Sequence, residues 1–198
     1  MPAPPADPTT VILRYFEIAH DAMRWKLEGL PEYDQRRPLT PTGTSLLGIL
    51  KHVAYVELGY LGDVFDRPHG HALPQGTGEV NADMYARADE SVEDVLDLFA
   101  AAEAHGRATL QTLPLETEGH VPWWGDNNPV TLHLIATHLL TEMHRHLGQM
   151  DILREGLDGE IGHRAGVDNL PDVEPGFWPD HVAELEAIAR QASDDGPP

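Results

Sequence analysis

Cysteine is absent from all 198 residues. That excludes disulfides, iron–sulfur clusters, Cys-type zinc fingers and a thiol nucleophile belonging to the chain itself. Any metal site must therefore be built from His and carboxylate. The absence also fits a reducing, cytoplasmic setting. Basic residues are scarce: 13 Lys plus Arg stand against 33 Asp plus Glu, a formal charge of −20. A nucleic-acid binder needs a basic face to displace counterions, so that class is excluded, as is docking on anionic lipid. No apolar run reaches the roughly 18–20 residues of a membrane helix. The Pro- and Ala-rich start, Met1 to Pro8, has neither the basic nor the apolar region of a secretory signal. What is present is a hydrophobic content of 41 %, enough for a core, and twelve histidines. The length fits one domain with tails.

Apolar residues recur at three- and four-residue intervals in four long segments, which predicts four helices. The first covers about residues 8–29 and carries Val11, Tyr15, Ile18, Ala22 and Trp25, with Gly29 and Pro31 as stop signals. The second covers about 45–65 with Leu46, Ile49, Val53, Val56 and Tyr60. The third covers about 91–113, opened by a Ser91/Asp94 capping box and lined by Val95, Phe99, Ala102, Gly106 and Leu110. The fourth covers about 129–157, with Pro129 suited to its first turn and Gly156 and Gly159 ending it. A short fifth helix is expected near 178–192, before a frayed acidic tail. No segment shows convincing alternation of period two. The expected fold is all-α, a four-helix bundle over residues 8–160, flanked by a flexible start (1–7) and a C-terminal extension (161–198). Residues 66–90 are too long for a simple hairpin and are rich in Pro and Gly, which allows a crossover and an up-down-down-up order.

The chemistry concentrates in the fourth helix. At about 100° per residue, Glu142, His146 and Gln149 fall together in the apolar stripe, His138 lies about 40° to one side, and His133 and His144 lie on the opposite face. A carboxylate and an imidazole at i, i+4 converge on one cation as the two histidines of a zinc helix do. The alternative is a plain Glu–His hydrogen bond in a partly wet interior. A third ligand should come from a neighbouring helix, and His52 lies on the edge of the second helix's buried face beside the small Gly48 and Gly59. His20 is weaker: Glu17 and His20 make one Glu-x-x-His pair, where a di-iron bundle needs two such motifs and two further glutamates.

These residues carry a resemblance. Lys51-His52-Val53-Ala54, then His138 and Glu142-x-x-x-His146-Leu147-Gly148-Gln149, is similar to the DinB/YfiT-like superfamily, and Met150 to Glu155 resembles its actinobacterial mini-circle branch. The resemblance implies a four-helix bundle in up-down-down-up order, a homodimer, and a three-residue metal site formed by His52, Glu142 and His146. Glu142 stands where many relatives have His, an arrangement similar to mycothiol-dependent maleylpyruvate isomerase. Gln149 stands where this branch often has a further His.

Three protein ligands leave a coordination position open, as catalytic sites do. Zinc suits these ligands best, with nickel, iron and manganese as alternatives. The expected function is a metal-dependent enzyme acting on a small organic substrate, either a hydrolase or a transferase or isomerase using an external small-molecule thiol. A non-catalytic, dimeric metal-binding bundle of the stress-response kind is the second reading. Gln149 is expected to orient a ligand. Trp123 and Trp124 are expected to wall a pocket or to plug the end of the bundle. Arg154 is expected to contact an anionic substrate group or to pair with Asp151 or Glu155. His69, His71, His105, His120, His163 and His181 are read as solvated.

Overall fold

Each long apolar repeat becomes a helix because its ends are capped. The computed structural model describes residues 7–74, 78–125 and 129–194. Helix α1 (Pro8–Trp25) starts where the Asp7 carboxylate accepts the Thr10 N–H at 3.0 Å. A short α2 (Glu32–Arg36) follows. Helix α3 (Leu46–Leu61) is capped by Ser45, and α4 (Val92–Thr112) by both halves of the Ser91/Asp94 box. Helix α5 (Leu132–Asp158) begins three residues later than expected. Pro129 lies before it, Thr131 caps it, and Gly159 ends it in the left-handed conformation. Two-residue strands β1 (Glu118–Gly119) and β2 (Val130–Thr131) pair antiparallel just ahead of α5. Neither they nor α2 are long enough to leave a periodic signal.

Side-chain contacts fix the helix directions. Glu17 meets Arg107 while Arg24 meets Glu103, so α1 and α4 run antiparallel. Lys51 meets Glu90 at the start of α4, and Thr109 near its end donates to the Leu61 carbonyl, so α3 and α4 run parallel. His52 meets His146 while Tyr60 meets His138, so α3 and α5 run antiparallel. The order is up-down-down-up, as expected. The crossover is the long segment between α3 and α4.

The core is shared by all four helices through residues such as Met23, Leu50, Leu58, Phe99, Leu132 and Ile135. Each fully buried side chain of this kind contributes about 1.5–3 kcal/mol. The stripe read on α1 needs correction. Val11, Tyr15 and Ile18 are 39, 51 and 39 % exposed, whereas Ile12, Phe16, Ala19 and Met23 face the core. This helix has two apolar faces about 100° apart, and spacing alone does not say which one is covered.

The bundle unit extends to Asp168, and residues from Asn169 form a second unit. That second unit holds α6 (Phe177–Asp194), an amphipathic helix of 18 residues whose Val182, Leu185 and Ile188 are exposed. Among the described residues no helix is long and apolar enough to cross a membrane. Residues 1–6 of the expected flexible start, Gly76 of the crossover, Asp126 after the Trp pair and 195–198 of the expected tail lie outside the described residues.

Candidate metal centre

The site grows from one glycine on α3. A Cβ at Gly48 would lie 1.9 Å from the Met84 carbonyl oxygen, so only glycine lets the 80s loop dock there. Lys51 secures the same loop, its Nζ donating to the Tyr85 carbonyl at 3.1 Å and to Glu90 at 2.7 Å. The docking brings Asp83 to His52, one turn along from Gly48. His52 Nδ1 donates to Asp83 Oδ2 at 2.7 Å. A carboxylate only accepts, so it fixes the proton on Nδ1 and leaves the Nε2 lone pair exposed for a ligand.

Across the α3–α5 seam the His146 ring lies 4.7 Å from the His52 ring, at 70° to it. His146 Nδ1 donates to Gln149 Oε1 at 2.9 Å, which again leaves Nε2 with its lone pair. Burial pushes the His146 pKa below its usual value; the Gln149 hydrogen bond opposes this and the neighbouring His52 adds to it. The neutral ring is therefore favoured. Its Nε2 faces Glu142 Oε2 at 3.7 Å. A neutral Nε2 and a carboxylate oxygen are both acceptors, and at 3.7 Å they make no direct hydrogen bond. A cation would satisfy both, so the residues present fit a divalent metal in donor type. Among the described residues no three His, Asp or Glu side chains are gathered closely enough to hold an ion as they stand.

Two details differ from the sequence reading. Glu142 and Gln149 sit at the margin of the buried face rather than in its middle: Glu142 is partly exposed and Gln149 exposed. His144 does lie on the solvent side, its Nδ1 bonded to the Leu140 carbonyl.

His138 joins a different group. Its ring packs 5.1 Å from Tyr60 and 5.0 Å from Trp124. The indole N–H groups of Trp123 and Trp124 both donate to Tyr60 Oη, at 3.2 and 3.0 Å. Trp123 lines a cavity beside α3, while Trp124 packs against the core. Arg154 is placed away from the seam. It is buried, donating to the Lys26 and Glu28 carbonyls at 3.0 and 2.9 Å and pairing with Asp158. Its fork caps the end of α1, and the expected partners Asp151 and Glu155 give way to Asp158. Asp151 pairs with the fully buried Lys26 instead.

Two further histidine groups emerge. His20 is buried, with Nε2 2.8 Å from Glu57 Oε2. His69, read as solvated, is nearly covered, paired with Asp63 at 3.2 Å and packed on His105. Sequence reasoning also missed Asp83, Tyr55 and Tyr60 as part of the site's surroundings. The only early signal for Asp83 was an acid in a Gly- and Pro-rich connection.

The family model of mycothiol-S-transferase matches residues 11–159. The chain belongs to that family. The match covers α3, α4 and α5, all of α1 from Val11 onward, and every expected metal ligand, and it supports the DinB/YfiT-like resemblance. Among solved structures, a conserved protein from Enterococcus faecalis is similar, with 16 % identity and a TM-score of 0.60 over 78 % of this chain and 99 % of that one. At that identity the likeness shows the fold alone. No curated protein gives a significant match.

Proposed function

We propose that this member of the mycothiol-S-transferase family is a thiol transferase that uses a divalent metal, most simply zinc, held by His52, Glu142 and His146. The observation that carries the reading is the adjacency of the His52 and His146 rings, 4.7 Å apart, each imidazole held through Nδ1 by its own partner, with Glu142 beside one of them. The chemistry that such a cation supplies is Lewis acidity, which deprotonates a bound thiol near neutral pH. The protein has no cysteine to offer, so the thiol is a cosubstrate, and the family's name points to mycothiol. Asp83 and Gln149 hold the rings in one tautomer and one orientation. In the transfer, the thiol sulfur forms a bond to the electrophilic carbon, the leaving group departs with its electron pair, and the thiol proton passes to solvent.

The decisive assay follows mycothiol with 1-chloro-2,4-dinitrobenzene, which releases chloride as the S–C bond forms. Turnover that is lost with a chelator, restored by zinc and absent in His146→Ala supports the reading. Turnover indifferent to both treatments overturns it. The same reading places the enzyme in the cytoplasm as a homodimer. The exposed Val11, Tyr15 and Ile18 face of α1 supports a second copy as its cover. Tyr15→Glu is expected to shift sedimentation towards the monomer; an unchanged dimer excludes that face.

A further inference from the structure

Three glycines sit at helix contacts in this bundle, and two are explained by close packing. Gly48 admits the Met84 backbone. Gly106 admits Glu57, whose Oε1 would lie 2.3 Å from an added Cβ. Gly59 is different. A Cβ there would meet only Leu73 at 3.4 Å and Trp123 at 3.8 Å, ordinary contact distances. What its missing side chain leaves is space.

That space is a cavity of about 310 Å³ lined by Tyr55, Val56, Gly59, Tyr60, Leu73 and Trp123. Among the described residues no charged side chain lines it. Its volume falls in the range of sites for small organic molecules, roughly 300–1,000 Å³. Tyr55 and Val56 follow His52 by three and four residues, so the cavity continues the helix face that presents the candidate ligand. One polar group is set in a defined state. Tyr60 Oη accepts both indole N–H groups, which occupies its two lone pairs. Its own hydrogen has no acceptor among the described residues, so the phenol offers a donor. Asp83 and Glu90 lie close enough to Tyr55 to add to the effect of burial in raising its pKa. The same negative field disfavours an anionic guest.

We infer that this cavity binds the apolar body of a neutral, aromatic substrate carrying a hydrogen-bond acceptor such as a carbonyl, received by the Tyr60 hydroxyl. This gives the substrate class for the proposed transferase. It rests on that proposal only for the guest's being the electrophile, since binding itself needs neither metal nor thiol.

The test therefore uses metal-free protein and three matched probes, naphthalene, 2-acetonaphthone and 2-naphthoate, with affinities from ligand-observed NMR titration. In the unmodified protein, 2-acetonaphthone is expected to bind about tenfold more tightly than either of the others, as one net hydrogen bond and one avoided charge burial would give. Tyr60→Phe should erase its advantage over naphthalene. Gly59→Leu should weaken both neutral probes by about tenfold or more by filling the space. If Gly59→Leu does not fold by circular dichroism, Gly59→Ala and intermolecular NOEs from the probe to Trp123 and Leu73 in the unmodified protein give the answer. Equal affinity for the naphthoate, NOEs to other residues, or a folded Gly59→Leu that binds as before would overturn the inference. Failure of these probes leaves the metal assignment standing. Absence of bound metal with selective probe binding overturns the assignment and leaves the cavity.

Discussion

Two His–Glu pairs lie in one bundle and behave differently. His20 and Glu57 meet directly at 2.8 Å, with side chains only 3 and 1 % exposed. His146 and Glu142 stand 3.7 Å apart, with side chains 12 and 32 % exposed. The first pair is closed. Phe16 and Phe99 flank the imidazole, and Gly106 makes room for the carboxylate. Glu103, which lines the same small cavity as His20 and Glu57, is committed to Arg24 and Arg107. The second pair is open. Its atoms stop short of a direct bond, and each histidine at the seam is anchored from behind by Asp83 or Gln149. The first pair is a direct buried contact, although His20 Nδ1 and Glu57 Oε1 find no hydrogen-bond partner among the described residues; the second is a candidate binding centre whose imidazole is anchored by Gln149 and not by its glutamate.

The largest expected effect would break the closed pair. Glu57→Ala leaves His20 buried without its partner and should cost about 3–5 kcal/mol in urea unfolding, as removing one side of a buried pair does. Its metal content per folded chain should stay unchanged. A loss of metal there would erase the distinction between the pairs.

The open pair should respond to its anchors. Asp83→Ala and Gln149→Ala are each expected to weaken metal binding about 10–100-fold with little change in melting temperature. Gly48→Ala touches no ligand, yet it should weaken metal binding in the same way by pushing the Met84 backbone and Asp83 off His52. Titration with a competing chelator measures all three, and wild-type affinity in Gly48→Ala would detach the loop from the site.

A smaller effect comes from pH. Burial lowers the His105 pKa, helped by the neighbouring His69 and Arg67. The folded protein then binds fewer protons at this position than the unfolded chain, whose His titrates near about 6.5. The stabilisation is full above that pH and is lost as pH falls towards the folded value. Urea unfolding between about pH 7.5 and pH 5.5 should show this slope, and His105→Gln should flatten it. An unchanged slope would assign it to other groups.

The sequence carried the four long helices because their apolar repeats are unbroken and their caps are local. The Ser91/Asp94 box needs only three residues to be read. The candidate ligands were legible for the same reason: Glu142 and His146 share one helix, and i, i+4 spacing on a helix is a distance. Asp83 was not legible, because it reaches His52 from an irregular segment 31 positions away through the docking of Met84 on Gly48. Glu57 lies within the most apolar helix, and its partner on α1 appears only once the helices pack. The covered face of α1 was ambiguous because both of its faces are apolar. Tyr60 read as core, and its role as acceptor for two indoles depends on the short turn that carries Trp123 and Trp124.

The central claim is that the open pair, with His52, holds a divalent metal and that its near neighbour in sequence does not. Elemental analysis of purified His146→Ala beside His144→Ala tests this most directly. The account predicts metal lost from the first and retained by the second at the wild-type level. Equal metal in the two proteins would contradict it.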